Sequence, residues 1–352
     1  MMGRRRQIAL GVAVAGLVGW AVALWLDPAA ALRGWLVGHQ VWLSVTLGAL
    51  GLSLVHGLTG GRWGEVLAPV FLAMRGTIPL LAALFVPIVF DLGALYPWAA
   101  LAGGGEAAHA ELAHIELLHH RAGWMNPTGF YLRAVLAFAL WIGLDHALRR
   151  TRAVAGPGLI LLGFSLVFVG ADWVMSVETA FYSTMIGLLL LTAAGAGGLA
   201  TATLITVAGR RLPAEPKTRR DIGNLLLAMV MLTAYCAFSQ FLIIWAGDLP
   251  EDNPWYLHRA AHGWSWVAVA LGVLFLAAPF FALLFRPLKE RARGLGAVAA
   301  LLVVMHVVHA IWLITPAFGA VVPWPELAAT AAIGGAWCWL FARRWRQVEG
   351  GA

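Results

Sequence analysis

Residues 157–176 read PGLILLGFSLVFVGADWVMS, and this stretch decides the fold. Twenty residues in an α-helix span about 30 Å, the thickness of the hydrocarbon core of a bilayer. Similar runs recur along the whole chain, whose mean hydropathy is +0.81. It is 61% hydrophobic and only 12% charged, whereas about a quarter of a soluble domain is charged. The sequence therefore predicts an all-α, polytopic integral membrane protein, without the short alternating segments of a β-barrel.

About ten transmembrane helices are predicted within residues 1–352, which we treat as a single membrane domain. The spans are 7–26, 35–58, 76–96, 128–148, 157–176, 179–208, 221–246, 263–285, 296–317 and 327–345. Asp91 lies near the end of the third span and Pro97-Trp98 directly follows it, much as Asp248 and Pro254-Trp255 follow the seventh. This echo, four spans apart, predicts two parallel four-helix bundles, 35–176 (spans 2–5) and 179–317 (spans 6–9), with two flanking helices. The longest connection, 97–127, is predicted to be a periplasmic loop.

The basic residues predict the orientation of the chain. Of its 24 lysines and arginines, 20 lie at one end of the predicted spans. Only Arg33, Arg121, Arg133 and Arg259 lie at the other end. The positive-inside rule then places both termini in the cytoplasm. The net charge of +7 is therefore a topology signal. Lipids are expected as partners, and no nucleic acid is expected.

Asp172 is the most informative polar residue within a span. It lies six residues before Glu178 and thus about 9 Å inside the membrane, too deep for so short a side chain to reach water. It must be paired, hydrogen-bonded or protonated. Depth alone suggests Asp91, Arg133 and His309 as its partners.

Other titratable residues at membrane depth form, with Asp172, a candidate proton path. Its predicted members are Asp172, Asp91, His309, His306, His56, Asp145 and His146. For Asp145, a helix-end ion pair with Arg149 is an equally good interpretation.

Metal and haem sites are weaker alternatives. Acids and histidines between Glu106 and His120 have helical spacing and suit either a metal site or an amphipathic surface helix; they are Glu106, His109, Glu111, His114, Glu116, His119 and His120. His39 and His309 could face each other as haem ligands. The two cysteines, Cys236 and Cys338, are too few for an iron–sulfur cluster held by four thiolates. We expect no metal and no catalytic residue in this chain.

Six motifs carry a resemblance to a known family. They are LTGGRWGE (58–65), LYPWA (95–99), WMNPTGFYLRAV (124–135), DWVMSVETAFYST (172–184), AYCAFSQFLIIWAGDLPEDNPWYLHR (234–259) and HAIWLITPAF (309–318). In this order, across about 35–320, they resemble the F subunit of bacterial alternative complex III, a quinol:cytochrome c (or other high-potential acceptor) oxidoreductase. That family is similar in fold to membrane subunits of polysulfide-reductase type.

The resemblance implies a subunit of the bacterial inner membrane without its own redox centre, and not catalytic alone. It implies three kinds of partner: a paralogous quinol-binding membrane subunit, a multihaem cytochrome c, and iron–sulfur subunits. Haem c and iron–sulfur clusters would belong to those partners, and a quinone or quinol is the one ligand expected here. The candidate quinone pocket consists of Asp172 and Arg133, with Trp173 at its rim.

Span 9 departs from the family pattern. His306 and His309 stand where the resemblance leads us to expect an arginine and an aspartate, which would make this helix more sensitive to pH. Two other functions fit the same buried residues: a proton-coupled secondary transporter, and a scaffold whose polar groups only fix helix packing.

Overall fold

The computed structural model describes residues 2–102, 120–250, 253–319 and 322–350, which form helices joined by short connections. The α-helices are α1 (Met2–Leu26), α2 (Pro28–Thr59), α3 (Arg62–Arg75), α4 (Ile78–Leu84), α5 (Val86–Phe90), α6 (Pro97–Ala102), α7 (Pro127–Arg150), α8 (Ala155–Trp173), α9 (Met185–Ala208), α10 (Pro216–Gly247), α11 (Asn253–Ala260), α12 (Trp264–Ala270), α13 (Ala278–Leu284), α14 (Arg286–Glu290), α15 (Ala292–Ile314) and α16 (Trp324–Gly350). A π-helix, Leu271–Ala277, joins α12 to α13. Short 3₁₀ turns cover Arg152–Val154, Met175–Val177 and Thr315–Phe318.

Nine helical segments of these described ranges are long and apolar enough to cross a membrane. They are Arg6–Leu26, Pro28–Thr59, Arg62–Phe90, Pro127–Arg150, Arg152–Val177, Met185–Ala208, Pro216–Gly247, Trp264–Leu284 and Ala292–Phe318. The predicted tenth span lies in α16, which is long enough but falls outside these nine. The predicted all-α, multi-pass membrane fold is confirmed.

The third span differs from its predicted range, 76–96. Helical structure begins earlier, at Arg62, and ends at Phe90. It is interrupted around Gly76 and again at Phe85, just before Pro87. A proline has no N–H to donate to the preceding turn, so a helix breaks there readily. As a consequence, Asp91 caps the end of α5 instead of lying inside a span.

Small residues let the long helices approach closely. A methyl group on Gly48 of α2 would lie 1.9 Å from the Ala194 carbonyl oxygen of α9, so only glycine fits at this crossing. Helices α2 and α9 belong to different predicted bundles but pack along each other. The division into 35–176 and 179–317 stays a prediction.

Helices α1 and α16 pack as an antiparallel pair. Gly16 contacts Ala332, and Gly335 contacts Ala13, so residue numbers rise along one helix as they fall along the other. The two ends of the chain therefore lie at the same end of the bundle. We name this the inner end and the opposite one the outer end. Which end faces the cytoplasm stays a prediction.

Candidate functional site

The Asp172 carboxylate is buried near the outer end of α8, with 4% of the residue exposed. Its Oδ2 accepts a 2.5 Å hydrogen bond from Arg133 Nε, and its Oδ1 accepts a 2.8 Å bond from Trp124 Nε1. The carboxylate is thus paired and hydrogen-bonded. Of its three suggested partners, the prediction of Arg133 is confirmed.

Local structure positions both donors. Asn126 caps the start of α7 by accepting a hydrogen bond from Gly129 N, and Pro127 supplies the first helical residue, where its missing N–H costs nothing. Two turns later, Arg133 reaches back so that its Nη2 donates to the Trp124 carbonyl oxygen at 2.8 Å. Its guanidinium lies 4.2 Å from the centre of the Trp124 ring, within range of a cation–π interaction.

An open depression of about 430 Å³ adjoins this pair. It is lined by His120, Arg121, Trp124, Met125, Met175 and Tyr182. Arg121 is held there by a 2.6 Å bond to the Thr179 carbonyl oxygen and lies 5.3 Å from the Tyr182 ring. The Trp124 indole both lines the depression and donates to Asp172, so it links the open space to the buried carboxylate.

The prediction that Trp173 packs at a rim is wrong. Its side chain is fully buried and contacts Phe85, Phe138 and Trp141. Tyr96 donates to the Trp173 carbonyl oxygen. Burial, reinforced by the nearby negative charge of Asp172, raises the pKa of Tyr96. This aromatic cluster forms the apolar floor beneath Asp172, and Trp124 occupies the exposed position instead.

Asp91 and His309 do not contact Asp172. Asp91 is exposed, and its Oδ1 accepts from the Ala94 backbone N–H. His309 is buried on α15, with its ring 5.4 Å from Phe275 of the π-helix. Asp91, His309 and Asp172 lie at similar predicted depth. The break after α5 and the direction of the α15 face that carries His309 keep their side chains apart.

His306 and His309 belong instead to a buried polar layer between α2 and α15. His306 Nε2 lies 2.7 Å from Ser44 Oγ, whose hydroxyl donates to the Val41 carbonyl oxygen. The lone pair of Ser44 is therefore left to accept from an N–H on His306. Two cavities of about 10 Å³ flank this layer, and both are lined by Gln40 and Ser44. Each has room for about one water molecule.

Glycine in the GAGGLA stretch (195–200) makes room for the layer. A methyl group on Gly197 of α9 would lie 2.9 Å from His306 Nδ1. The small residues of this stretch therefore permit close contact with a histidine ring as well as with helix α2.

His39 caps the break between α4 and α5. The Phe85 N–H bonds to Ala82 O and the Ile88 N–H to Phe85 O, so neither uses the carbonyl four residues back. Those carbonyls, Leu81 O and Leu84 O, accept from His39 Nε2 at 2.8 Å and from Trp35 Nε1 at 2.7 Å. A carbonyl only accepts, so His39 Nε2 carries a proton and is not free to ligate iron.

The predicted inner members of the proton path lie far from Asp172. Arg133 and Asp145 are both on α7 but 12 residues apart, which is about 18 Å. Asp145 pairs with Arg149 at 2.7 Å, confirming the helix-end ion pair, and also with Arg75 at 3.3 Å. His56 lies 3.1 Å from the Gly61 carbonyl oxygen, and His146 is exposed.

Sequence reasoning missed a second arginine–carboxylate pair at the outer end. Glu178 Oε1 accepts a 2.6 Å bond from Arg259 Nη1, and its Oε2 lies 3.1 Å from His258 Nδ1. Arg259 also donates to the carbonyl oxygens of Trp255 and Leu313 and stacks 3.7 Å from the Trp255 ring centre. Burial lowers the pKa of Arg259, and the Glu178 charge opposes that shift.

A buried pair of Arg33 and Glu326 was also missed. Arg33 Nε donates to Glu326 Oε1 at 2.6 Å, and Thr315 Oγ1 donates to the same oxygen at 3.1 Å. Each of the four arginines predicted at the outer end thus donates to a carboxylate or to a backbone carbonyl oxygen. These four exceptions to the positive-inside pattern were the signal available in the sequence.

The alternative metal site falls mostly outside the described residues. Glu106, His109, Glu111, His114, Glu116 and His119 lie there, and only His120 is described. Within 2–102, 120–250, 253–319 and 322–350, no group of three or more His, Cys, Asp or Glu could hold a metal ion.

A scan against protein-family models and a search of the curated proteins return no match to this chain. The fold by itself defines the class: an all-α, multi-pass membrane protein.

Proposed function

We propose that this chain is a non-redox membrane subunit of a quinol:cytochrome c (or other high-potential acceptor) oxidoreductase of the alternative complex III type. It lies in the bacterial inner membrane with both termini in the cytoplasm. Its partners are a paralogous quinol-binding membrane subunit, a multihaem cytochrome c and iron–sulfur subunits, and these carry the haem c and the clusters.

The arrangement of Asp172, Arg133 and Trp124 beside the open depression carries the proposal. Two of the motifs behind the resemblance, 124–135 and 172–184, supply all three residues. The depression is lined by the flat ring of Trp124 and by the cation of Arg121. Both suit a quinol headgroup, which is a flat ring with a hydrogen-bonding oxygen at each end. Rotation of Trp124 would expose the Asp172 carboxylate to such a headgroup as a proton acceptor.

The buried polar layer extends this proposal inward from Asp172. Val169 and Gly170, within one turn of Asp172 on α8, line one of the two cavities that flank Gln40 and Ser44. His306 and His309 line the other cavity. A proton accepted at Asp172 would then have hydrogen-bonding groups on its way to the middle of the bundle.

A proton-coupled transporter is the second candidate, favoured by the same layer. A transporter binds its substrate near mid-membrane. The two cavities at this layer are about 10 Å³ each, so they admit water and no larger solute in this conformation. This size favours the subunit.

The test is purification of the tagged full-length chain in mild detergent, followed by quinol oxidation assays. Co-purification with haem c and iron–sulfur proteins supports the subunit, and a colourless chain that emerges alone contradicts it. We expect Asp172→Asn to lower quinol turnover about a hundredfold, the scale of one lost proton acceptor. The matched control is Asp91→Asn, an exposed carboxylate at similar sequence depth, which should leave turnover unchanged. If both variants keep full turnover, the pair only fixes helix packing.

A further inference from the structure

Arg75 is a buried arginine with unused hydrogen-bond donors. It is the last residue of α3, and 8% of its side chain is exposed. Its Nε lies 3.3 Å from Asp145 Oδ1, but the two atoms do not form a hydrogen bond. Among the described residues, neither Nε nor Nη1 of Arg75 has a hydrogen-bond partner. A buried donor without an acceptor is costly.

The charges around Arg75 do not balance. Asp145 is shared with Arg149, which donates to its Oδ2 from both Nε and Nη2. The side-chain stem of Arg344 packs against Gly76, with Cγ and Cδ each 3.3 Å from where a Cβ would stand. Arg344 Nε is also buried without a hydrogen-bond partner in the described part of the chain. Two guanidinium groups, from α3 and α7, therefore share one carboxylate, and Arg344 of α16 packs its stem against the residue that follows Arg75.

We propose that Arg75, Arg149 and Arg344 form a binding site for a phosphate group, supplied by an anionic phospholipid or by free phosphate. Guanidinium groups bind phosphate oxygens through paired N–H donors. Phosphate also supplies the negative charge that Asp145 alone does not, whereas a water molecule would satisfy donors without neutralising charge.

The position of the site suits a headgroup. Asp145 lies five residues before the inner end of α7, about 7.5 Å along the helix. Access is from the side of Arg149, whose side chain is 39% exposed. The site is at the opposite end of α7 from Asp172 and does not depend on the proposed function.

The test measures anion binding to the delipidated full-length chain in neutral detergent. Phosphatidylglycerol, phosphatidylcholine and inorganic phosphate are titrated separately, with sodium chloride at matched ionic strength as the reference. Thermal unfolding and native mass spectrometry report binding. We expect phosphatidylglycerol to bind about tenfold more tightly than phosphatidylcholine, because both lipids carry the same phosphate but the choline cation of phosphatidylcholine is repelled by the guanidinium groups.

Variants of opposite charge sharpen the test. Arg344→Gln should weaken binding about tenfold, Asp145→Asn should tighten it, and the exposed Arg150→Gln should bind as the unmodified chain does. Stabilisation by phosphatidylglycerol alone identifies a lipid headgroup. Saturation by inorganic phosphate, with no further effect of phosphatidylglycerol, identifies free phosphate.

Two results would overturn the site. One is equal binding of both lipids together with a phosphate effect no larger than that of chloride. The other is an Arg344→Gln variant that binds as tightly as the unmodified chain, because the proposed site includes this guanidinium. The second result is decisive even if Asp145→Asn fails to fold.

Discussion

Two arginine–carboxylate pairs lie close together along the chain. The first pair joins Arg133 of α7 to Asp172, and the second joins Arg259 of α11 to Glu178. Asp172 is the penultimate residue of α8, and Glu178 lies in the connection from α8 to α9, where one predicted bundle meets the next. Each arginine also stacks on a tryptophan, Trp124 or Trp255.

The pairs differ in how completely they are enclosed. The Arg259 side chain is 2% exposed and donates to Glu178 and to two backbone carbonyls. The Arg133 side chain is 21% exposed and donates to one carbonyl besides Asp172. Its tryptophan, Trp124, is 41% exposed, whereas Trp255 is buried.

The same type of arginine–carboxylate pair thus occurs in two different surroundings. An enclosed pair cannot exchange protons or contact a ligand without breaking its surroundings, so we interpret Arg259–Glu178 as a structural link. In the first pair, the half-exposed Trp124 both donates to Asp172 and lines the open depression, so its movement would bring the carboxylate closer to a ligand there. The proposed function therefore rests on the first pair, and the following predictions probe the contrast.

The largest effect is expected for Arg259→Gln. Removing this guanidinium leaves Glu178 charged and largely buried, and loss of one partner of a buried pair costs about 3–5 kcal/mol. Unfolding of the purified chain by urea or sodium dodecyl sulfate in mixed micelles measures the loss. Arg133→Gln is the matched control. Asp172 is as deeply buried as Glu178, with 4% of its side chain exposed against 11%. It keeps the hydrogen bond from Trp124, however, and Arg133 itself is partly exposed and donates to only one backbone carbonyl, so we expect a smaller loss. Equal losses would remove the distinction between the two pairs.

A pH titration tests the surroundings of the second pair through Tyr256, which neighbours Arg259 on α11. Burial raises the pKa of Tyr256 to about 12, although Gln240 and the Arg259 charge both oppose the shift. An unfolded tyrosine titrates near 10. The neutral phenol therefore stabilises the fold below pH ~10, and this contribution is lost as the pH rises through about 12.

Absorbance at 295 nm checks this value. We expect the unmodified chain to show a tyrosinate component near pH 12 that is absent from Tyr256→Phe. Unfolding experiments between pH 9 and 12 should lose stability more steeply for the unmodified chain than for the variant. If the component that Tyr256→Phe removes lies near pH ~10 instead, Tyr256 is solvated and the second pair is less enclosed than described.

Much of the fold could be predicted because apolar length alone specifies a spanning helix. The Arg133–Asp172 pair could be predicted from depth, since a buried carboxylate needs a partner and few cations lie at that level. Depth does not specify which way a helix face points, however. By depth, Asp91 and His309 were equally good candidate partners of Asp172. The break after α5 exposes Asp91, however, and helix packing turns His309 toward Gln40 and Ser44.

The second pair was hidden for a related reason. Glu178 and Arg259 both fall in connections, where a sequence shows no periodicity and charged residues are ordinary. Trp173 is adjacent to Asp172 in sequence, but adjacent helical residues point about 100° apart, so the two side chains have different surroundings. Arg75 is one of the 20 basic residues predicted at one end of the spans, and its burial has no signal in the sequence.

The smallest effect is expected for His258→Gln, which removes the second donor to Glu178. His258 lies 3.1 Å from Glu178 Oε2, but its side chain is 50% exposed. An exposed pair contributes about 0–1 kcal/mol, because water screens the charges and the side chain loses freedom. In the same assay, the free energy of unfolding of this variant should therefore lie within about 1 kcal/mol of that of the unmodified chain. Arg259→Gln should lose much more, although both variants remove a donor to Glu178. A loss comparable to that of Arg259→Gln would mean that the outer loops cover His258 as well, and that enclosure does not distinguish the two partners of Glu178.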